Sequence, residues 1–260
     1  MSFSTAAEMT SASPDPEAGA AALAPADGGT LVATELALPR PSTREIANAA
    51  AIRIFDVVVA ALLLLLLLPL IVLVVIAVRL ESTGPAFFRC DRVGYRGQLL
   101  RMLKLRKMCH ESQGLSLTID GDARFTRIGG LLSTLKIDEI PQLFHVLRGT
   151  MSLVGPRPEV AEFVSLHPED YRVILSVPPG ITGLSQVAFF DERRILDPND
   201  PVGHYVSGIL PQKVALDRMY ANRRTLAFNL RILFWTAAAV LTRRQVSVDR
   251  DTGRMSIRKP

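Results

Sequence analysis

The chain has 260 residues, of which 48% are apolar and 21% charged, and its mean hydropathy is +0.25. That much Leu, Val and Ile can bury a core, which excludes disorder throughout, and two cysteines cannot staple a chain of this length, which excludes a disulfide scaffold. The net charge of +5 is uneven: residues 1–50 set six carboxylates against Arg40 and Arg44, net −4, so the remainder carries +9. Such an excess suits phosphate-bearing ligands or an acidic membrane face, whereas nucleic acid has no motif behind it.

Residues 1–50, rich in Ala, Ser, Pro and Gly, read as a flexible N-terminal tail with no secretory signal. The next segment, 51–80, holds an apolar run from Ile54 to Val78 in which Asp56 is the only charge and Leu62–Leu68 are all leucine. At about 1.5 Å per residue this reaches across a hydrocarbon core. Pro69 removes a backbone hydrogen bond and predicts a bend. Arg40, Arg44 and Arg53 precede the run, and Arg79, Arg89, Arg92 and Arg96 follow it. Two basic flanks suit a proline-kinked re-entrant helix whose ends share one membrane face, while hydropathy alone favours a bent, fully spanning anchor.

Residues 81–242 read as one mixed domain, mainly α with a small β element. A short hairpin at Val93–Gln98 feeds Leu99–Met108, where charged and apolar residues alternate. On a strand, Lys104 and Arg106 share a face and reach one phosphate together. A helix at Ile128–Leu135 precedes a second from Glu139, in which Ile140, Leu143, Phe144 and Leu147 form one apolar stripe. Asp138 is its expected N-cap, Pro141 lies in its first turn and Gly149 ends it. Two proline-glycine knots follow, at Gly155–Pro158 and Pro178–Gly180. Leu210–Tyr220 and Leu226–Leu241 are helical again, and the last of these either lies among lipid headgroups or packs into the core. Residues 243–260 read as a C-terminal tail.

The adjacent carboxylates Asp138 and Glu139 are candidates for metal or phosphate chemistry, although Asp as a cap and Glu in a first turn is also ordinary helix design. Arg157, fixed between Pro156 and Pro158, presents a guanidinium fork suited to phosphate or carboxylate, or simply sits in a rigid surface turn. The histidines lack metal spacing, and neither a Rossmann nor a Walker loop is present.

The order of these pieces resembles a family. Arg53, Asp56 and Pro69 in the hydrophobic helix are followed by Arg92-Val93-Gly94 and Lys104-Leu105-Arg106-Lys107-Met108. Then come Ile137-Asp138-Glu139-Ile140-Pro141-Gln142-Leu143, Met151–Glu159 and Pro179–Val187. Over about Ile52–Leu241 the chain is similar to the bacterial sugar transferases, monotopic polyprenol-phosphate phosphoglycosyl transferases that start exopolysaccharide assembly.

The resemblance implies transfer of sugar-1-phosphate from a UDP-sugar to undecaprenyl phosphate with release of UMP, at the cytoplasmic face of a bacterial inner membrane. Asp138 matches the nucleophile that carries a phospho-aspartyl intermediate, and Glu139 the carboxylate that holds Mg²⁺. Lys104, Arg106, Pro156, Arg157, Pro158 and Asp217 match substrate-binding positions. Arg53 and Asp56, three apart, are expected to pair at the surface of the inner-membrane lipid, and the resemblance leaves room for a homodimer. Ser133 stands where the family commonly has arginine, Pro178 replaces a common basic residue, Asn229 stands where Asp is frequent, and Leu68-Pro69 replaces Ser-Pro. Lys136 is positioned to compensate for a lost cation. A catalytically inactive membrane scaffold is the alternative these departures leave open.

Overall fold

A computed structural model describes residues 42–109, 117–119, 121–242, 244–249 and 252–257. Its largest element is helix α1, Thr43–Glu81, which opens on a reciprocal capping box between Ser42 and Glu45 and carries Pro69 inside it without ending there. The helix therefore begins eight residues before the expected start, inside the stretch assigned to the tail. It is long and apolar enough to cross a membrane. Most of that apolar surface faces outward: Leu65 and Leu66 are each 73% exposed and Leu80 83%.

A narrow stripe of α1 faces the rest of the protein through Ile52, Asp56, Ala60, Leu64, Ile71 and Val78. Near its start, Arg53 donates to the carbonyls of Val146 and Leu147, while Asp56 accepts from Ser152 Oγ at 2.6 Å and Leu153 N at 3.2 Å. Arg53 and Asp56 thus do not pair with each other, as expected above; each ties the helix to the domain behind it. Asn48 adds a third tie, donating to Arg224 O and accepting from Leu226 N.

At the far end, the buried guanidinium of Arg106 donates to the carbonyls of Val78, Ser82 and Thr83 and to Ser82 Oγ. Val78 O also accepts from Ser82 N, while the Ser82 and Thr83 carbonyls lie just past the helix end, where a cation meets the negative end of the dipole. Glu81 in turn accepts from Ile128 N, which opens the next helix. Both ends of α1 are therefore held by one domain.

That domain begins with the antiparallel pair β1 (Phe87–Val93) and β2 (Leu99–Leu105), joined by a turn in which Arg96 adopts a left-handed φ of 55°. Helix α2 (Arg127–Thr134), capped by Thr126, lies directly on the backbone of Lys107: a Cβ at Gly129 would sit 1.8 Å from Lys107 O. A 3₁₀ helix, Ile137–Gln142, runs into α3 (Leu143–Arg148), which ends at Gly149 with φ 84° as the sequence predicts.

The two proline-glycine knots lie against each other. Strands β3 (Ser152–Val154) and β4 (Gly180–Thr182) pair in parallel, and Gly155 N and Gly180 N donate to Thr182 O and Pro156 O. A Cβ at Gly155 would meet Pro178 O at 2.4 Å, and one at Gly180 would meet Gly155 N at 2.0 Å. The backbones approach so closely that only glycine fits, and this contact aims the Pro156–Pro158 turn.

Short helices α4 (Ala161–Ser165), α5 (Pro168–Ile174), α6 (Leu184–Ala188), α7 (Glu192–Ile195) and α8 (Pro201–His204) follow this turn in the chain. A π turn over Tyr205–Ile209 then leads into α9 (Leu210–Arg223), and α10 spans Leu226–Thr242. The residues read as a C-terminal tail instead form a hairpin, β5 (Val246–Val248) with β6 (Met255–Ile257). Val246 and Met255 are buried in the same core cluster as Ala60, Leu153 and Ile232.

Candidate functional site

The 3₁₀ helix, β2, α6, α7 and the Pro156–Pro158 turn wall a cleft of about 930 Å³. Its walls are of two kinds. One region carries charge, including Lys104, Lys107, Asp138, Glu139 and Arg157. The other is lined by Leu63 and Leu67 from α1, Ile181 from β4, and Thr236 and Val240 from α10. An anionic group attached to an apolar chain would find both environments within one cavity.

Asp138 is only 2% exposed, and it is not a helix cap as expected: the 3₁₀ helix takes Lys136 at its N-cap position, with φ 59° and no capping side chain. The Asp138 carboxylate instead faces the Lys107 ammonium, Oδ2 to Nζ at 3.4 Å. Loss of water on burial lowers the Lys107 pKa below the usual lysine value, with Asp138 acting in the opposite direction. Lys107 was not singled out in the sequence, because strand alternation placed it on the face opposite Lys104.

Glu139 accepts from both Lys104 and Arg157, each 3.0 Å from Oε1, while Oε2 takes part in neither contact. Burial pushes this carboxyl up, but Lys104 and then Arg157 outweigh it and hold the group well below the usual carboxylate range. Arg157 is raised in turn, chiefly by Glu139. The Pro-fixed guanidinium thus reaches the cleft beside Pro158, whereas Pro156 lies behind it.

Lys104 and Arg106 both line the cleft, but their charged ends do not converge as expected. Strand β2 ends at Leu105, so the alternation that would set the two side chains on one face stops before Arg106, whose guanidinium caps α1. Asp217 lies outside the cleft lining: it sits buried in α9, its Oδ1 without a hydrogen-bond partner among the described residues, and burial pushes its carboxyl up to about 7. Tyr220, one turn on, reaches Val154 O and Asn229 Oδ1 at 2.9 and 2.8 Å.

A second buried network was not read from the sequence. Lys213 Nζ contacts Glu159 Oε1 at 2.9 Å, Glu192 Oε2 at 3.1 Å and Tyr205 OH at 2.7 Å. Burial lowers the Lys213 pKa, yet Glu159 and Glu192 raise it well above the usual value. The network joins the turn after Arg157 to α7 and α9. Its two carboxylates lie 21 and 54 positions from Lys213, so no local pattern could have shown it.

The bacterial sugar transferase family model matches residues 47–243, most of the described fold and every residue of the cleft. The chain belongs to the bacterial sugar transferase family. One relative of this family, the UDP-glucose:undecaprenyl-phosphate glucose-1-phosphate transferase of Caulobacter vibrioides, is 38% identical over 195 residues, covering 73% of this chain and 69% of that protein. A UDP-N-acetylgalactosamine-undecaprenyl-phosphate N-acetylgalactosaminephosphotransferase of Aeromonas hydrophila is 36% identical over 202 residues, 73% of this chain and 43% of that protein. An undecaprenyl-phosphate galactose phosphotransferase of Salmonella typhimurium is 33% identical, over 62% of this chain and 34% of that protein. The chain therefore spans less than half the length of the latter two sugar transferases.

Among the described residues no group of three or more His, Cys, Asp and Glu side chains could hold a metal ion. A single carboxylate with one uncommitted oxygen, Glu139 Oε2, fits a magnesium ion that takes its other ligands from substrate phosphates and water.

Proposed function

We propose that this sugar transferase moves a sugar-1-phosphate from a UDP-sugar to undecaprenyl phosphate, releasing UMP, as the first membrane step of a surface glycan. The observation that carries the reading is one cleft lined both by Asp138 with clustered cations and by apolar side chains of α1 and α10.

Asp138 is the nucleophile of the account. Its carboxylate oxygen bonds to the sugar-bearing phosphorus while the bond from that phosphorus to the UMP oxygen breaks. The polyprenyl phosphate oxygen then attacks the same phosphorus and frees Asp138. Lys107, 3.4 Å from Asp138 Oδ2, positions the carboxylate. Lys104 and Arg157 fix Glu139 and place positive charge where the phosphoryl group moves. Mg²⁺, held by Glu139 and the diphosphate, supplies further charge neutralisation when bound.

We further assign α1 to a cytoplasmic-face, re-entrant insertion. Arg53 and Asp56 near one end and Arg106 and Glu81 at the other all bind one domain, which supports placing both ends on a single side of the membrane. The exposed leucines between them supply the surface for lipid.

The test is turnover by the full chain in detergent or nanodiscs against a panel of UDP-sugars. UMP release that requires both polyprenyl phosphate and Mg²⁺ is the expected result. Absence of release across the panel would contradict the reading and leave the membrane scaffold.

A further inference from the structure

Around Asp138 the cations divide into two classes. Lys104 and Arg157 are committed to Glu139, Lys107 to Asp138, and Lys213 to Glu159 and Glu192. Lys136 and Arg193 line the same cleft, and among the described residues neither has a carboxylate within salt-bridge distance. Each is instead held by neutral groups. Lys136 Nζ lies 5.5 Å from the centre of the Phe190 ring. Arg193 donates to Ser133 Oγ at 3.3 Å and lies 5.9 Å from the Phe125 ring. Lys107 Nζ approaches the same Ser133 oxygen at 3.4 Å, so two cations converge on one neutral hydroxyl beside the nucleophile.

Backbone geometry points the same way. Lys136 holds a left-handed φ of 59°, which costs a non-glycine residue about 1–2 kcal/mol, and its side chain makes no capping hydrogen bond in return. Nothing in the local fold requires lysine there; glycine would serve the turn better.

We propose that Lys136 and Arg193 form a phosphate-binding pair in the cleft that Asp138 lines, with Ser133 as the small residue that leaves room for the Arg193 guanidinium. The pair rests on the proposed reaction for its substrate but is a property of this chain's own residues. Its ligand is a phosphoryl group carried by either the nucleotide diphosphate or the polyprenyl phosphate.

Equilibrium binding to the full chain in detergent, with UDP and a short-chain polyprenyl phosphate as separate probes, tests this without requiring turnover. Lys136→Gly keeps the left-handed turn and removes the charge, and Arg193→Gln keeps hydrogen bonding. Each is expected to weaken one probe or both by about tenfold or more, the size of a lost charge-assisted hydrogen bond, and Lys136→Arg should restore affinity. A loss confined to UDP assigns the pair to the donor, and one confined to the lipid assigns it to the acceptor. Wild-type affinity for both probes in both variants, or no binding of either probe by the wild-type chain, would overturn the proposal. Intact, variant-sensitive binding without UMP release would instead refute the reaction and leave the site standing.

Discussion

Lys107 Nζ lies 3.4 Å from Asp138 Oδ2, with the carboxylate side chain 2% exposed and the lysine side chain 23%. Removing one partner of a buried ion pair strands the other, which costs about 3–5 kcal/mol when both are fully buried. Partial solvation of Lys107 reduces that to about 2 kcal/mol. Lys107→Met should therefore lower stability by about this amount in denaturant titration. Turnover should fall by about a hundredfold or more, because charge neutralisation at the proposed nucleophile is lost.

Neighbouring glycines in α2 should respond in opposite directions. A Cβ at Gly129 would stand 1.8 Å from Lys107 O, so Gly129→Ala must push the helix away from the residue that faces Asp138. A Cβ at Gly130 meets nothing within 4 Å. Gly130→Ala should stabilise by about 0.5–1 kcal/mol through helix propensity, and Gly129→Ala should destabilise by at least about 2 kcal/mol. Paired thermal melts read both signs.

Much of this arrangement is legible in the sequence, and the failures share a cause. The apolar helix, the β1–β2 hairpin and the Gly149 cap follow from local pattern: a leucine run, glycine-flanked turns and a residue free to adopt positive φ. Partners distant in sequence do not. Arg106 was assigned to phosphate because strand period alone governs a side chain only while the strand lasts, and β2 stops one residue earlier. Its true partners lie 23 to 28 positions back. The Lys213 network and the packing of Val246 and Met255 were equally invisible, since each depends on tertiary contacts that no window of a few residues contains. Asp138 and Glu139 are candidates in the sequence through their adjacency and through the order of motifs. Their neighbours Lys107 and Arg193 emerge only from the fold.

Asp217 sets a pH dependence. Burial raises its carboxyl from 3.8 to about 7, so between those values the folded chain keeps a proton that the unfolded chain releases. Its contribution to stability is full below about pH 4 and is lost as pH rises through about 7. Asp217→Asn abolishes that loss. The variant should be more stable than wild type at pH 8 by on the order of 1–3 kcal/mol, and the difference should shrink by pH 5. Melting curves at the two pH values measure it.

The shared attachment of both α1 ends predicts topology. Cysteines introduced by Glu45→Cys and Pro85→Cys should react with an impermeant maleimide only after cells are opened from the cytoplasmic side, both positions behaving alike. Labelling of one position in intact cells would show that the helix crosses the bilayer.

The most direct measurement is covalent trapping. The full chain incubated with a UDP-sugar labelled in the sugar-bearing phosphate, without lipid acceptor, should carry label that peptide mapping places on Asp138, and Asp138→Asn should carry none. Label on another residue, or an Asp138→Asn variant that turns over normally, would contradict the account.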